Sequence, residues 1–305
     1  MKNWYAGNLH CHSNLSDGDT EPKKVAKWYR DHGYSFLSLT DHNCLTPVEE
    51  YSLGNEDFIA ISGSEYTWKG EGVQTHVNGF GLKEKIPLPT EEVSLIESLQ
   101  YGIDGVNHQG GIAMVNHPCW LWSFGSKQMK ELRGSQLFEL YNGAPTSNND
   151  GDARHESTDE IWDALLSDGI EIFGVASDDA HHYQDICISP KGFRDTPGSG
   201  WVWVQAEELS QESILNALRN GDFIASNGVK LSNLERSSER MTIEIDPQDD
   251  TISYKTTFIG KEGTVLLEHE GLKASYEIRG DESYVRAKIK SSSGTYGWVQ
   301  PIFIG

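Results

Sequence analysis

The stretch Asn8-Leu9-His10-Cys11-His12-Ser13-Asn14-Leu15-Ser16-Asp17-Gly18 places two histidines two residues apart and follows them with an aspartate. On a β-strand, alternate side chains lie on the same face, so His10 and His12 would point one way and Cys11 the other. Two imidazoles on one face, followed by a carboxylate at a turn, suit a divalent metal ion. An HxH pattern is common by chance, and it gains weight here because similar residues end later strands.

Apolar segments that we predict as β-strands repeatedly end in histidine or acidic residues. The first unit is β-α-β: the HxH strand, a helix over 21–32, and a strand over 35–40 that leads into Asp41 and His42. Further strands are predicted at 58–62, 75–80, 112–116, 137–141, 172–176 and 201–205, and helices near 90–109, 159–167 and 211–219. Parallel α/β folds collect their sites at the carboxyl ends of the strands, and a barrel does so more readily than an open sheet.

The pattern changes near Val229. From there the chain reads as short strands separated by polar turns, without a long helical period, which indicates a small antiparallel unit of β-sandwich type. We therefore predict two units, residues 1–228 and residues 229–305. His269 is the histidine of the second unit, and we expect no chemistry from it.

Composition limits the classes of partner. Lys and Arg total 25 against 46 Asp and Glu, a formal net charge of −21, which opposes an extended nucleic-acid footprint and an anionic membrane surface. A metal cluster could still attract a small anion locally. We expect a cytoplasmic protein, because we find no signal-length or bilayer-length apolar run. The four cysteines, Cys11, Cys44, Cys119 and Cys187, lack the spacing of a disulfide framework, and we favour small buried hydrophobes over thiolate ligands.

Nine strand-end residues have side chains of metal-ligand type. They are His10, His12, Asp17, His42, Glu65, His76, His117, Asp179 and His181. One ion takes about four to six donors, so we expect a cluster, with Glu65 as the candidate bridging carboxylate. Asp41 and Asp178 are expected to orient imidazoles, although Asp178 could replace Asp179 as a ligand.

The ordered motifs resemble those of a known superfamily. His10-x-His12 with Ser16-Asp17-Gly18, Thr40-Asp41-His42-Asn43, Glu65, His76, Asn116-His117-Pro118 and Asp179-x-His181 resemble the polymerase and histidinol phosphatase (PHP) superfamily. This resemblance implies a distorted (β/α) barrel with fewer strands than the eight-stranded form. It implies one ion on His10, His12, Glu65 and Asp179, a second on Glu65, His76 and His117, and a third on Asp17, His42 and His181. It also places Glu65, Asp179 and His181 in catalysis.

The resemblance implies a metal-dependent hydrolase with about two to three Zn, Mn or Fe ions per chain. We expect a phosphoesterase in which a metal-bridging hydroxide attacks small phosphorylated molecules. The strand at 201–204, the next helix and the β tail resemble a branch that includes carbaryl-type hydrolases, so an amide or carbamate hydrolase is one alternative. A non-catalytic metal-binding module is another, and the full ligand set argues against it.

Three residues are candidates for substrate binding. Trp120 and Trp122 follow His117 and are predicted to wall the pocket, with tryptophan packing at the rim as the alternative. Arg194 is the candidate phosphate contact, with solvated surface as the default interpretation.

Overall fold

The protein is a mixed α/β structure with three hydrogen-bonded sheets in the residues that a computed structural model describes, 2–54, 56–184 and 195–304. The strands are β1 (Asn3–Asn8), β2 (Phe36–Leu37), β3 (Ile59–Ala60), β4 (Gly63–Gly70), β5 (Val73–Phe80), β6 (Ile112–Val115), β7 (Leu137–Asn142), β8 (Phe173–Ser177), β9 (Trp201–Ala206), β10 (Phe223–Ser226), β11 (Lys230–Arg236), β12 (Arg240–Asp246), β13 (Tyr254–Gly260), β14 (Thr264–Glu270), β15 (Lys273–Glu277), β16 (Tyr284–Ser291) and β17 (Tyr296–Phe303). The helices are α1 (Pro22–Asp31), α2 (Val48–Tyr51), α3 (Leu95–His108), α4 (Ser126–Met129), α5 (Thr158–Ser167) and α6 (Gln211–Arg219).

The predicted β-α-β unit is present at the start of the chain. β1 and β2 pair in parallel, with Gly7 opposite Phe36, and α1 connects them. A Cβ at Gly7 would lie 2.1 Å from the Phe36 ring, so only glycine lets this ring pack against β1. Val25 and Tyr29 are buried on the inner side of α1. The carboxyl ends of both strands therefore lie at the same edge, where the HxH stretch and His42 follow.

A hairpin replaces the single strand predicted at 75–80. β4 and β5 pair antiparallel from Gly63–Phe80 to Gly70–Val73, and the sequence analysis missed β4. The two residues between them, Glu71 (φ 52°) and Gly72 (φ 84°), both have positive φ, as a two-residue hairpin turn of type I′ requires. Glu65 and His76 therefore lie within paired strands and not at strand ends.

Parallel pairing is limited to two groups of strands among the described residues, β1-β2-β3 and β6-β7-β8. β9 runs antiparallel to both β1 and β10. Among the described residues, neither the sheet that contains β1 nor the sheet that contains β6 closes on itself. Two single parallel bridges, Cys11–Ala180 and His42–Glu65, join the two sheets. The segments that follow β1, β2, β6 and β8 consequently face one common mouth.

The C-terminal strands form two facing layers. β11, β12 and β15 make a three-stranded sheet, and β17 pairs with β10, so β13, β14, β16 and β17 extend the sheet that contains β1. Ile243 from the small sheet, and Phe258 and Val299 from the large one, belong to one buried apolar cluster. The Arg286 guanidinium, 1% exposed, lies 2.6 Å from Asp163 and 3.1 Å from Asp159 of α5. None of the described helices combines the length and apolar character needed to cross a membrane.

Candidate metal centre

Main-chain contacts bring the HxH stretch against the end of β8. The His12 N–H donates to Ala180 O, and the Asp179 N–H donates to His10 O, each at 2.9 Å. The loop then turns back so closely that a Cβ at Gly18 would lie 2.7 Å from the His12 carbonyl oxygen. The first and last motifs of the sequence are thereby held side by side.

All nine predicted ligands meet at this mouth. They form four overlapping groups, and within each group the ligand atoms lie within 4.8 Å of one another. The groups are His12, Asp17, His42 and His181; His10, His12 and Asp179; His10, Glu65 and His117; and His42, Glu65 and His76. His10, His12, His42 and Glu65 each belong to two groups, so the donors are shared between neighbouring positions. This arrangement suits several ions better than one isolated ion.

Glu65 lies at the middle of the cluster and is fully buried. Its Oε1 is 2.8 Å from His76 Nδ1 and 3.7 Å from His117 Nε2. Its Oε2 is 3.5 Å or less from three more imidazole nitrogens, on His10, His12 and His42. Burial raises the pKa of Glu65, but the charges of His42, His76 and His10 hold that pKa well below its usual range. The carboxylate is therefore ionised and open to neighbours on both oxygens, as a bridge must be.

Asp179 faces two of the same imidazoles. Its Oδ1 is 3.1 Å from His10 Nε2 and 3.1 Å from His12 Nε2, while Oδ2 accepts a hydrogen bond from Asn142 Nδ2 at 3.0 Å. Burial raises the pKa of Asp179, but His10 and His12 hold it well below its usual range. Asp179 also has φ 52°, a left-handed conformation that is costly outside glycine and is often found at functional sites.

Two buried atoms test whether the cluster fits a cation. His10 Nε2 and Glu65 Oε2 are buried 3.5 Å apart and make no hydrogen bond, although Asp179 Oδ1 lies 3.1 Å from the first atom and His42 Nδ1 lies 2.9 Å from the second. Buried polar atoms are normally satisfied, because an unpaired one costs free energy. A cation between them would satisfy both. Imidazole nitrogens mixed with carboxylate oxygens are the donors that Zn, Mn and Fe accept, so the residues fit a divalent transition metal.

The outer part of the cluster is more open. Asp17 is 53% exposed, and its two oxygens lie 3.4 Å from His181 Nε2 and 3.4 Å from His42 Nε2. Burial lowers the pKa of His42, but Glu65 and Asp17 raise it to about 10. Burial likewise lowers the pKa of His181, but Asp17 and Asp179 raise it to about 9. Both rings would have to lose a proton to bind a metal.

Glu139 is a buried member of the site that the sequence analysis missed. It lies inside β7, and its Oε1 is 2.7 Å from His10 Nδ1, while Oε2 accepts the His117 N–H at 2.8 Å. Burial raises its pKa, but His10 lowers it below its usual value. The sequence does contain a signal for Glu139, because an acidic residue within the apolar run Leu137-Phe138-Glu139-Leu140-Tyr141 indicates a buried charge that needs partners.

Asp41 and Asp178 make no direct contact with an imidazole among the described residues, and Asp41 reaches His12 through Ser16, whose Oγ lies 3.4 Å from His12 Nδ1. Asp178 accepts the N–H groups of Gly198, Ser199 and Gly200 at 3.0, 2.6 and 2.8 Å. Asp41 accepts the N–H and hydroxyl of Ser13 and the hydroxyls of two other loop residues, Ser16 and Thr46. Asp41 thus holds the loop that carries Asp17, while Asp178 anchors the segment 198–200 by accepting main-chain N–H groups that need acceptors.

The two predicted tryptophans lie in different places. The Trp120 ring is 5.4 Å from the rings of both His76 and His117, so it borders the cluster. The Trp122 ring stacks on His155 at 4.1 Å instead. The candidate Arg194 lies outside the described residues.

Comparisons with known proteins give the following. No family model matches the chain. A 5'-3' exoribonuclease of Haemophilus influenzae is 29% identical over 87 residues, which are 27% of this chain and 31% of that protein, so the chain matches less than a third of its curated relative. An amidohydrolase structure from Chromobacterium violaceum matches 59% of this chain and 88% of its own, at a TM-score of 0.43 and 14% identity. A proposed metal-dependent phosphoesterase from Bifidobacterium adolescentis matches 57% of this chain and 87% of its own, at the same TM-score and identity.

A two-domain structure from Bacteroides vulgatus covers nearly the whole chain. It contains a predicted PHP-like metal-dependent phosphoesterase, and it matches 98% of this chain and 95% of its own at a TM-score of 0.55 and 15% identity. This likeness is one of fold, and it extends over both predicted units. The chain therefore has the fold of the PHP-like metal-dependent phosphoesterases, the superfamily that its sequence motifs resemble.

Proposed function

We propose that the protein is a metal-dependent phosphoesterase that hydrolyses small phosphorylated molecules. The observation that carries this proposal is a cluster of nine ligand-type side chains in which two buried atoms, His10 Nε2 and Glu65 Oε2, make no hydrogen bond. We assign His10, His12, Glu65 and Asp179 to one ion, Glu65, His76 and His117 to a second, and Asp17, His42 and His181 to a third.

Divalent ions bound here would supply an activated water and would stabilise negative charge on the phosphoryl oxygens. Glu65 and Asp179 would hold these ions, since both carboxylates are ionised and have imidazole ligands packed against them. His181 is set apart because its Nδ1 lies 2.9 Å from the Asp179 carbonyl oxygen, which leaves Nε2 directed at Asp17. We therefore assign His181, at this open edge, to the outer ion or to donation of a proton to the leaving oxygen.

Charge supports phosphate over a neutral substrate. A cluster of divalent ions is a dense local positive charge, which favours an anionic ester over a neutral carbamate. The net charge of −21 disfavours a long polynucleotide but not a compact anion. Trp120 beside His76 and His117 offers a ring on which an aryl group or base could stack.

The match to an exoribonuclease favours a second candidate, release of nucleotides from an RNA end, because both reactions break a P–O bond. An amide or carbamate hydrolase on the same cluster remains the third candidate, supported by the branch resemblance noted above. All three need the same metal set, so substrate comparison separates them.

The test is kcat/KM on one metal-analysed sample for a nucleotide monophosphate, an aryl phosphate, a short 5'-phosphorylated RNA and an aryl carbamate. We expect the small phosphates to be preferred. If the carbamate is preferred by more than about tenfold, about 1.4 kcal/mol of transition-state free energy, the phosphoesterase proposal fails. The chelator-treated protein is the control, and its activity should return when metal is restored.

Three finer assignments accompany the proposal. Residues 1–228 would form a distorted PHP-type (β/α) barrel, supported by the bridges Cys11–Ala180 and His42–Glu65. Residues 229–305 would form a small β-sandwich-like domain, supported by the apolar cluster between its two layers. A cytoplasmic location agrees with the free thiols of the described cysteines, Cys11, Cys44 and Cys119, while Cys187 lies outside the described residues.

A further inference from the structure

We propose that Glu139 is a positioning residue that sets the ring orientation and proton position of His10 and holds the main chain of His117. This inference rests on the proposed function, because it concerns residues assigned to two of the ions. Glu139 lies in β7, opposite the ends of β1 and β6, and is fully buried. A buried carboxylate is kept ionised only where donors surround it.

Four donors surround the Glu139 carboxylate. Oε1 lies 2.7 Å from His10 Nδ1 and accepts the Ser177 hydroxyl proton. Oε2 accepts the His117 N–H at 2.8 Å and an Asn142 amide N–H at 3.0 Å. Because an ionised carboxylate only accepts hydrogen bonds, the proton of a neutral His10 ring must lie on Nδ1. The lone pair on Nε2, the buried atom without a hydrogen-bond partner, is then free to bind a cation.

The same hydrogen bonds reach a third ligand. Asn142 Nδ2 also donates to Asp179 Oδ2 at 3.0 Å, so Glu139 contacts His10 and His117 directly and Asp179 through Asn142. Within the described part of the chain, the side chains of Asp17, His42 and His181 contact other carboxylates and not Glu139. Its loss should therefore affect the two ions assigned to the inner cluster and spare the outer position.

Glu139→Gln separates this role from simple space filling. The amide has the size of the carboxylate, but it offers an oxygen to one pair of donors and an NH₂ group to the other. The His117 main-chain N–H can only donate, so the amide oxygen must face it. The NH₂ group then faces His10 Nδ1, which has to accept, and the ring proton moves to Nε2. That nitrogen can no longer bind metal.

Glu139→Asp makes the opposite compromise. It keeps two accepting oxygens but retracts them by one methylene, so the ring proton stays on Nδ1 while the geometry loosens. A positioning role therefore predicts that Gln is more harmful than Asp for metal binding. A space-filling role predicts the reverse order, because only Asp leaves a void.

The experiment is a chelator-competition titration of Zn²⁺ with the full chain, comparing wild type, Glu139→Gln and Glu139→Asp. Glu282→Gln is the matched control, since Glu282 is 4% exposed, accepts the Gly280 N–H at 2.8 Å and lies among the C-terminal strands. We expect Glu139→Gln to weaken the inner ions by about 10–100-fold, with Glu139→Asp less affected and the control unchanged. ¹⁵N spectra of the zinc-loaded proteins should show the His10 proton on Nδ1 in wild type and on Nε2 in Glu139→Gln.

Unchanged Zn²⁺ affinity in Glu139→Gln, or a larger loss in Glu139→Asp, overturns the inference. If Glu139→Gln does not fold, the spectrum of the zinc-loaded wild type still tests the inference. A His10 proton found on Nε2 in that spectrum would overturn the proposed role of Glu139. Failure of the wild type to bind Zn²⁺ would instead overturn the proposed function.

Discussion

Two adjacent aspartates provide a test in which the same substitution should have two different outcomes. Asp179 Oδ1 lies 3.1 Å from His10 Nε2 and 3.1 Å from His12 Nε2, inside the cluster. Asp178 points the other way, and both of its oxygens accept main-chain N–H groups from the segment 198–200. Asp179→Asn should therefore remove a metal ligand, whereas Asp178→Asn should remove an anchor for a loop.

The distances set the size of each effect. Even a carboxylate about 4 Å from a unit positive charge contributes about 4 kcal/mol at an effective dielectric constant of about 20. Loss of a direct ligand to a divalent ion should therefore lower metal affinity by about three orders of magnitude or more. Asp178→Asn keeps the charges of the cluster. The amide cannot accept from all the donors that surround Asp178, and each unsatisfied one costs about 1–3 kcal/mol of folding free energy.

Chelator competition and thermal melting on the same samples measure both quantities. We expect Asp179→Asn to lose metal affinity and turnover while the metal-free protein melts near the wild-type temperature. We expect Asp178→Asn to melt earlier, with metal affinity within about tenfold of wild type once folded. If Asp179→Asn keeps its metal affinity, the ligand assignment is refuted. If Asp178→Asn loses affinity with an unchanged melting temperature, Asp178 is the ligand.

Four further predictions follow from the structure. Metal binding should release protons and weaken as pH falls, because the pKa values of about 10 for His42 and about 9 for His181 keep both rings charged in the metal-free protein. Calorimetry in two buffers of different ionisation enthalpy measures the number of protons released. A value of zero would contradict the prediction. Folding raises both pKa values, so the metal-free protein should lose stability as pH rises from 6.5 through about 10. Thermal melts of the metal-free protein across this pH range measure the effect. A melting temperature that rises with pH would show that the carboxylate contacts are absent. Arg286→Met should destabilise the fold by about 3–5 kcal/mol in urea unfolding, because it removes the buried guanidinium that contacts both Asp163 and Asp159. Metal affinity should stay unchanged, and a stability change within about 0.5 kcal/mol would show that these buried ion pairs are not stabilising. His269→Ala should leave turnover unchanged, and a loss of turnover in folded protein would bring the C-terminal strands into the site.

Local patterns were enough to name the nine candidate ligands and the first β-α-β unit. Strand alternation predicted that His10 and His12 share a face, although β1 ends at Asn8 and the HxH stretch follows it. The alternation of strand, helix and strand follows from hydrophobic periodicity within short windows. Each of these signals is contained within a few consecutive residues. The nine proposed ligands could therefore be named from the sequence, and the structure places them in four groups at one mouth.

Other features depend on partners far apart in the chain, and only the tertiary structure decided them. Glu139 is an acidic residue within an apolar strand, and its contacts come from His10, His117 and Ser177, which lie far from it or beyond the next helix in the chain. Trp122 turned to His155 and away from the cluster, and β9 paired antiparallel with β1. The physical reason is that burial of a charge and choice of a strand partner are settled by groups distant in sequence, which must jointly satisfy every buried donor and acceptor.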